Sequence, residues 1–178
     1  MKKATQKNNI ISILTPLGKD ALYLTDFSAT EAISQLFTYT VNMYTVGSQI
    51  SFDDLVGKSV TVALRNAESS GTIRHFNGIV SHLTSAGMRT SASNDGEDYI
   101  DYHAVIVPSA AFMAKRTNCR IFQNKSVIDI VTELFGQYGV ALLNKTKKTY
   151  PKYQYCVQYQ ESDLNFVARL LQQEGIFY

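Results

Sequence analysis

Three histidines, two cysteines and two close pairs of acidic residues are the groups in this 178-residue chain whose types could do chemistry. A histidine beside a thiol can drive nucleophilic catalysis, and clustered histidine, cysteine and carboxylate side chains can hold a metal. His75, His82 and His103 are scattered, and their spacing fits no common metal motif. In an unbroken strand His75 and His82 would lie on opposite faces. Cys119 has no histidine next to it in sequence. Cys119 and Cys156 both sit beside apolar or aromatic residues, so they read as buried free thiols and not as a disulfide framework. Paired carboxylates can share acid–base work. Asp53 and Asp54, however, fall in a turn, and Glu161 and Asp163 at a helix start, where solvation and capping account for them. The glycines form no phosphate loop of either common pattern. No catalytic, metal-binding or cofactor-binding residue is assigned on these grounds, and no cofactor is expected.

Charge narrows the partners. Seventeen Lys and Arg against fifteen Asp and Glu leave a net charge of +2, without the basic stripe of a nucleic-acid binder. Lys145, Lys147 and Lys148 form a small cluster that reads as a solvated loop, with contact to an acidic partner as the functional alternative. Tyr150, Tyr153, Tyr155 and Tyr159 lie near lysines, and such mixtures can stack on bases. The simpler reading is an edge strand, YQYCVQY, with alternating burial. The apolar run from Ile10 to Leu14 is broken by Ser12 and ended by Pro16, too short for a signal-peptide core or a membrane span. The expectation is a protein made in the cytoplasm, with no stable membrane anchor.

The elements that would position these groups are mostly strands. In LFTYTVNMYTV (Leu36–Val46), Phe37, Tyr39, Val41 and Met43 alternate with polar residues, the period of a half-buried strand. Ser59–Asn66 repeats the signal with Val60, Val62 and Leu64. Arg74–Gly87 carries Phe76, Ile79, Val80 and Leu83, with a bulge expected at Gly78. Tyr99–Pro108 is a further strand, and Thr90–Asp98 the best hairpin loop. Closely spaced strands without helices between them predict an antiparallel barrel or sandwich. Two helices follow. Ser126–Val140 has apolar residues at i, i+3 and i+4, a Ser126–Asp129 capping box and Gly139 as its stop. ESDLNFVARLLQQEG has Ser162 as its cap, an apolar face of Leu164, Val167, Leu170 and Leu171, and Gly175 as its end.

Three stretches carry more than periodicity. They are RIFQNKSVIDIVTELFGQYGV (Arg120–Val140), YPKYQYCVQYQESDLNFVARLLQQEGIFY (Tyr150–Tyr178) and, more weakly, FNGIVSHLTSAG (Phe76–Gly87). In order, spacing and residue type they resemble the amino-terminal hub region of the VgrG family, the spike-tip proteins of bacterial type VI secretion. The resemblance covers residues 74–178 well and 10–65 more loosely. It implies an α+β, mainly antiparallel β chain: a phage tail hub-like β-barrel followed by a helix-containing segment of a second barrel. The implied division is a disordered tail over 1–9, a first hub-like barrel over 10–110, and the start of a second hub domain over 111–178. Arg120 and Phe122 would then anchor the approach to the first helix, the Cys156 strand would pair in a tight core, and Gly175 would allow a sharp exit.

The implied role is structural and non-enzymatic. It is that of a virulence-associated homotrimer seated on the Hcp tube ring, meeting baseplate proteins, with a PAAR-repeat tip protein and effectors attached through other regions. Such a protein would be injected by the type VI apparatus without a signal peptide. The hub or late-control protein of a contractile phage tail is the alternative, and an enzyme or ligand-binding barrel a more distant one. Family members continue past the position of Tyr178, so the sequence reading expects a truncated chain. It also expects Ile176–Tyr178 to be the first half of a strand that invites pairing.

Overall fold

The alternating segments become one six-stranded antiparallel sheet in the computed structural model, which describes residues 5–6, 9–65, 73–90 and 97–178. The strands are β1 (Ile11–Leu14), β2 (Tyr23–Thr30), β3 (Thr38–Val46), β4 (Ser59–Arg65), β5 (Ile73–Thr90) and β6 (Asp98–Val107), in the spatial order β1-β4-β5-β6-β3-β2. The inward residues follow the sequence pattern. Tyr39, Val41, Met43, Val60, Val62, Phe76 and Val80 are buried, with Tyr102, Ala104 and Ile106 from β6. Phe76 meets Tyr39 edge-on at 5.5 Å and Phe27 at 4.8 Å, so aromatic packing fills the sheet's interior. Thr90 pairs with Asp98, while residues 91–96 of the expected hairpin loop lie outside the described residues.

The sheet is nearly closed on itself, and a side chain bridges its seam. Oε1 of Gln6 accepts from the backbone N–H of Ile13 on β1 (3.2 Å) and of Leu24 on β2 (3.1 Å). Nε2 of Gln6 donates to the Leu22 carbonyl at 2.5 Å, and its backbone N–H donates to Asp20 Oδ1 at 2.9 Å. The amide thus stands in for strand-to-strand hydrogen bonds between the two edges. Gln6 is only 4% exposed. Within the tail expected to be disordered, this residue departs from the expectation, because its amide is needed at the seam.

β5 corrects two expectations. Its register shifts between Val80 and His82 and again between Ser85 and Gly87, not at Gly78. Gly78 stays in register and faces inward. A Cβ there would lie 2.6 Å from Ile106 Cγ2 and 2.8 Å from the Val107 carbonyl oxygen, so close packing explains the glycine. The extra residue after Val80 reverses the alternation. His75 and His82 are therefore both exposed, instead of lying on opposite faces.

The chain divides into two compact units, Met1–Thr30 with Phe37–Pro108, and Glu31–Leu36 with Ser109–Tyr178. The second contains a 3-10 turn (Ser109–Lys115), β7 (Thr117–Phe122), α1 (Val127–Gln137), β8 (Cys156–Ser162) and α2 (Asp163–Gln173). β7 and β8 form an antiparallel ribbon. Ser126 and Asp129 form the expected capping box on α1, and the Ser162 hydroxyl accepts from Asn165 N–H at the start of α2. The core joins Met113, Ile130, Leu134, Val167 and Leu170 to Phe122, which stacks on Phe166 at 5.5 Å. Ile176–Tyr178 forms no strand. Ile176 packs on this core, and the Tyr178 carbonyl accepts from Ser34 N–H at 2.7 Å.

Candidate functional site

β8 carries a register shift against β7: Asn118 pairs with Glu161, but Arg120 pairs with Gln158. The extra residue falls near Gln160, which adopts a left-handed φ of 49°. This kink lets β8 run directly into α2 with Asp163 turned inward. Asn118, Arg120 and Phe122 alternate toward the core side of β7, and Gln158 does so on β8.

Four side chains converge on the Asp163 carboxylate, which is fully buried. Oδ1 accepts from Asn118 Nδ2 (2.9 Å) and Gln158 Nε2 (2.7 Å); Oδ2 accepts from Tyr138 Oη (2.6 Å) and Arg120 Nη2 (3.1 Å). The Asp163 N–H donates to the Arg116 carbonyl at 3.1 Å. Burial pushes the carboxyl group up, but the hydrogen bonds from Gln158, Tyr138 and Asn118 and the Arg120 charge outweigh it and hold it below the ordinary aspartate value. Burial and the bond to Asp163 push the Tyr138 hydroxyl up, so it remains a donor. The node ties β7, β8, the end of α1 and the start of α2 to one charge. Solvated capping, expected for Glu161 and Asp163, holds for neither: Asp163 is buried, and Glu161 pairs with Arg169 at 2.6 Å.

A carboxylate filled by four donors and shut off from water cannot take a proton from a substrate. The other sequence candidates are dispersed. His103 Nδ1 lies 2.8 Å from Asn42 Oδ1 on β3, and Asp53 and Asp54 sit exposed in a 3-10 turn. Cys119 is exposed and Cys156 half-buried, so the expectation of two buried thiols fails for Cys119, which alternates outward between Asn118 and Arg120. Burial pushes the Cys156 thiol up, against the activation a nucleophile needs. Among the described residues no three His, Cys, Asp or Glu side chains are grouped to hold a metal, and no helix is long and apolar enough to cross a membrane.

One large concavity opens in the second unit, an apolar trough of about 660 Å³. Ile128, Val131 and Phe135 of α1 and Leu164, Val167 and Leu171 of α2 line it. Residues 142–148, with Lys145, Lys147 and Lys148 among them, and Phe177 line it too. Sequence periodicity revealed the two helices but not that their remaining apolar flanks form one surface.

The profile of the phage tail baseplate hub (GPD) family matches residues 30–178. The chain is 30% identical to the type VI secretion system spike protein VgrG1b of Pseudomonas aeruginosa over 174 residues, which is 97% of this chain and 22% of that protein. It therefore spans about a fifth of that curated relative. Among solved structures, the E. coli c3393 protein, a type VI secretion component with structural similarity to T4 bacteriophage tail proteins, shares the fold. Its TM-score is 0.66 at 20% identity, covering 90% of this chain and 42% of that one. The 43 kDa tail protein of prophage MuSo2 from Shewanella oneidensis gives a TM-score of 0.59 at 16% identity, covering 93% of this chain and 50% of that one.

Proposed function

The chain belongs to the phage tail baseplate hub family, and on that premise we propose that it is the hub region of a type VI secretion spike. One observation carries this reading: identity to a type VI spike protein extends over 97% of the chain, through both units. In the proposal, residues 10–110 form a first hub barrel and 111–178 begin a second. Three copies seat on the ring of an Hcp tube, against the baseplate. A PAAR-repeat tip protein and effectors attach through other parts of the full-length protein. The protein is made in the cytoplasm and leaves the cell with the apparatus. This region contributes shape and stiffness, not catalysis, and the Asp163 node supports that assignment because it spends a buried charge on holding four elements together.

The test uses the full-length parent protein and Hcp from the same genome, mixed and imaged by electron microscopy. Three-fold caps at the ends of Hcp tubes are expected. Absence of capping by a folded, full-length protein overturns the reading. Co-purification with phage tail tube protein instead would move the chain to the hub of a contractile phage tail.

A further inference from the structure

The first unit closes without completing its ladder. β1 and β2 are consecutive in sequence and form the two edges of the sheet, yet no ladder joins them. The geometry at Gln6 explains why. The N–H groups of Ile13 and Leu24 both end on one oxygen, Gln6 Oε1. At this register a donor faces a donor, whereas an antiparallel ladder needs a donor facing an acceptor. The Gln6 amide, with its own acceptor and donor, supplies what the two edges cannot supply each other. The closed seam also carries two costs. Asp20, whose Oδ1 accepts from the Gln6 N–H, holds a left-handed φ of 58°. Thr15, the residue after β1, is 7% exposed, and its hydroxyl has no hydrogen-bond partner among the described residues.

We propose that the barrel is a split ring that opens at this seam, with Gln6 as its clasp. In the open form Gln6 lets go and the two edges part, while β1 stays on β4 and β2 stays on β3. The strands β4, β5, β6 and β3 have ladders on both sides and remain closed. A ladder yields only as a cooperative unit, whereas a single side chain can leave its partners by changing rotamer. Opening hydrates the Ile13 and Leu24 N–H groups, gives the Thr15 hydroxyl a water partner and frees Asp20 from its left-handed conformation. It also uncovers the core residues Ile13, Leu22 and Leu24, and that loss of apolar burial keeps the open form the minor one. Two strand edges with free backbone groups exist only in the open form, so Gln6 governs their exposure. The inference rests on the first unit alone and does not depend on the spike reading.

The experiment measures residue-resolved hydrogen exchange in the folded, full-length parent protein. The Ile13 and Leu24 amides are expected to share one protection factor, at least about tenfold below that of amides in β3 and β6. Ser12 and Leu14, whose N–H groups alternate toward β4, are expected to stay with the protected set. Thr15→Val removes the unpartnered hydroxyl at nearly constant shape, so the two seam amides are expected to exchange about tenfold more slowly. Gln6→Ala moves them the other way. Should that variant fail to fold, the wild type and Thr15→Val still decide. Seam amides as protected as those of β3 and β6, or protected to different degrees from each other, overturn the proposal. So does joint opening of Ser12 and Leu14, which would be fraying of β1 as a whole, or a Thr15→Val variant whose seam amides exchange unchanged or faster.

Discussion

At the scale of single residues, Asp163 decides whether the second unit holds together. Replacing it with alanine leaves Arg120, Asn118, Gln158 and Tyr138 without their common acceptor. Breaking a buried charged pair typically costs about 3–5 kcal/mol, and a loss of that size is expected for Asp163→Ala in urea unfolding. Tyr138→Phe removes one hydrogen bond to the charge, and about 1.5–3 kcal/mol is expected for it. The same carboxylate sets an acid response. Its folded value is depressed, so the unfolded chain binds the proton more readily, and stability rises with pH across the titration. The contribution is complete above the ordinary aspartate value of about 3.9 and is lost as pH falls through the lower folded value. Melting temperatures below about pH 4 should therefore fall more steeply for the wild type than for Asp163→Asn. An identical slope in the two proteins would remove Asp163 from the account.

At the scale of elements, the strands and helices that keep a clean period were legible in the sequence, and those held by other forces were not. β3, β4 and the two helices announce themselves through alternation or through caps such as Ser126 and Ser162. β1 is four residues long and β2 is mostly polar, so neither has a period to read. Both are held by partners distant in sequence and by Gln6. Gln6→Ala leaves the N–H groups of Ile13 and Leu24 without their acceptor, at about 1–3 kcal/mol by the usual penalty for an unmet buried donor. Faster hydrogen exchange confined to those two amides is the specific signature; unchanged exchange there would show that the seam closes without the glutamine. Gly78→Ala tests the other hidden constraint. The new methyl meets Ile106 and the Val107 backbone, and overpacking of this kind costs about 1–3 kcal/mol. Sequence reasoning saw that Gly78 was special but placed a bulge there, because a missing side chain gives the same signal whether the strand bends or a neighbour crowds in.

At the scale of the whole molecule, convergence from distant elements is what the sequence could not show. The node at Asp163 was only half legible. The Glu161–Ser162–Asp163 start predicted a cap, but burial of the carboxylate depends on Arg120, Tyr138 and Gln158 arriving from three other elements. Spacing along one chain does not encode that convergence. The scaffold reading makes a prediction that an enzyme reading does not. His75, His82 and Cys119 are exposed, and substitutions at such positions usually change stability by less than about 0.5 kcal/mol. His103 is half-buried and faces the Asn42 amide, so its loss costs about one ordinary hydrogen bond, roughly 0.5–1.5 kcal/mol. On the spike reading proposed above, the full-length protein carrying H75A, H82A, H103A and C119S together should thus stay folded, melt only slightly earlier and keep whatever tube-capping the wild type shows. On the scaffold reading these side chains matter only through their small contributions to stability. If the quadruple variant folds normally yet no longer functions in secretion, one of these groups acts on something other than the fold. Restoring them one at a time would then identify it.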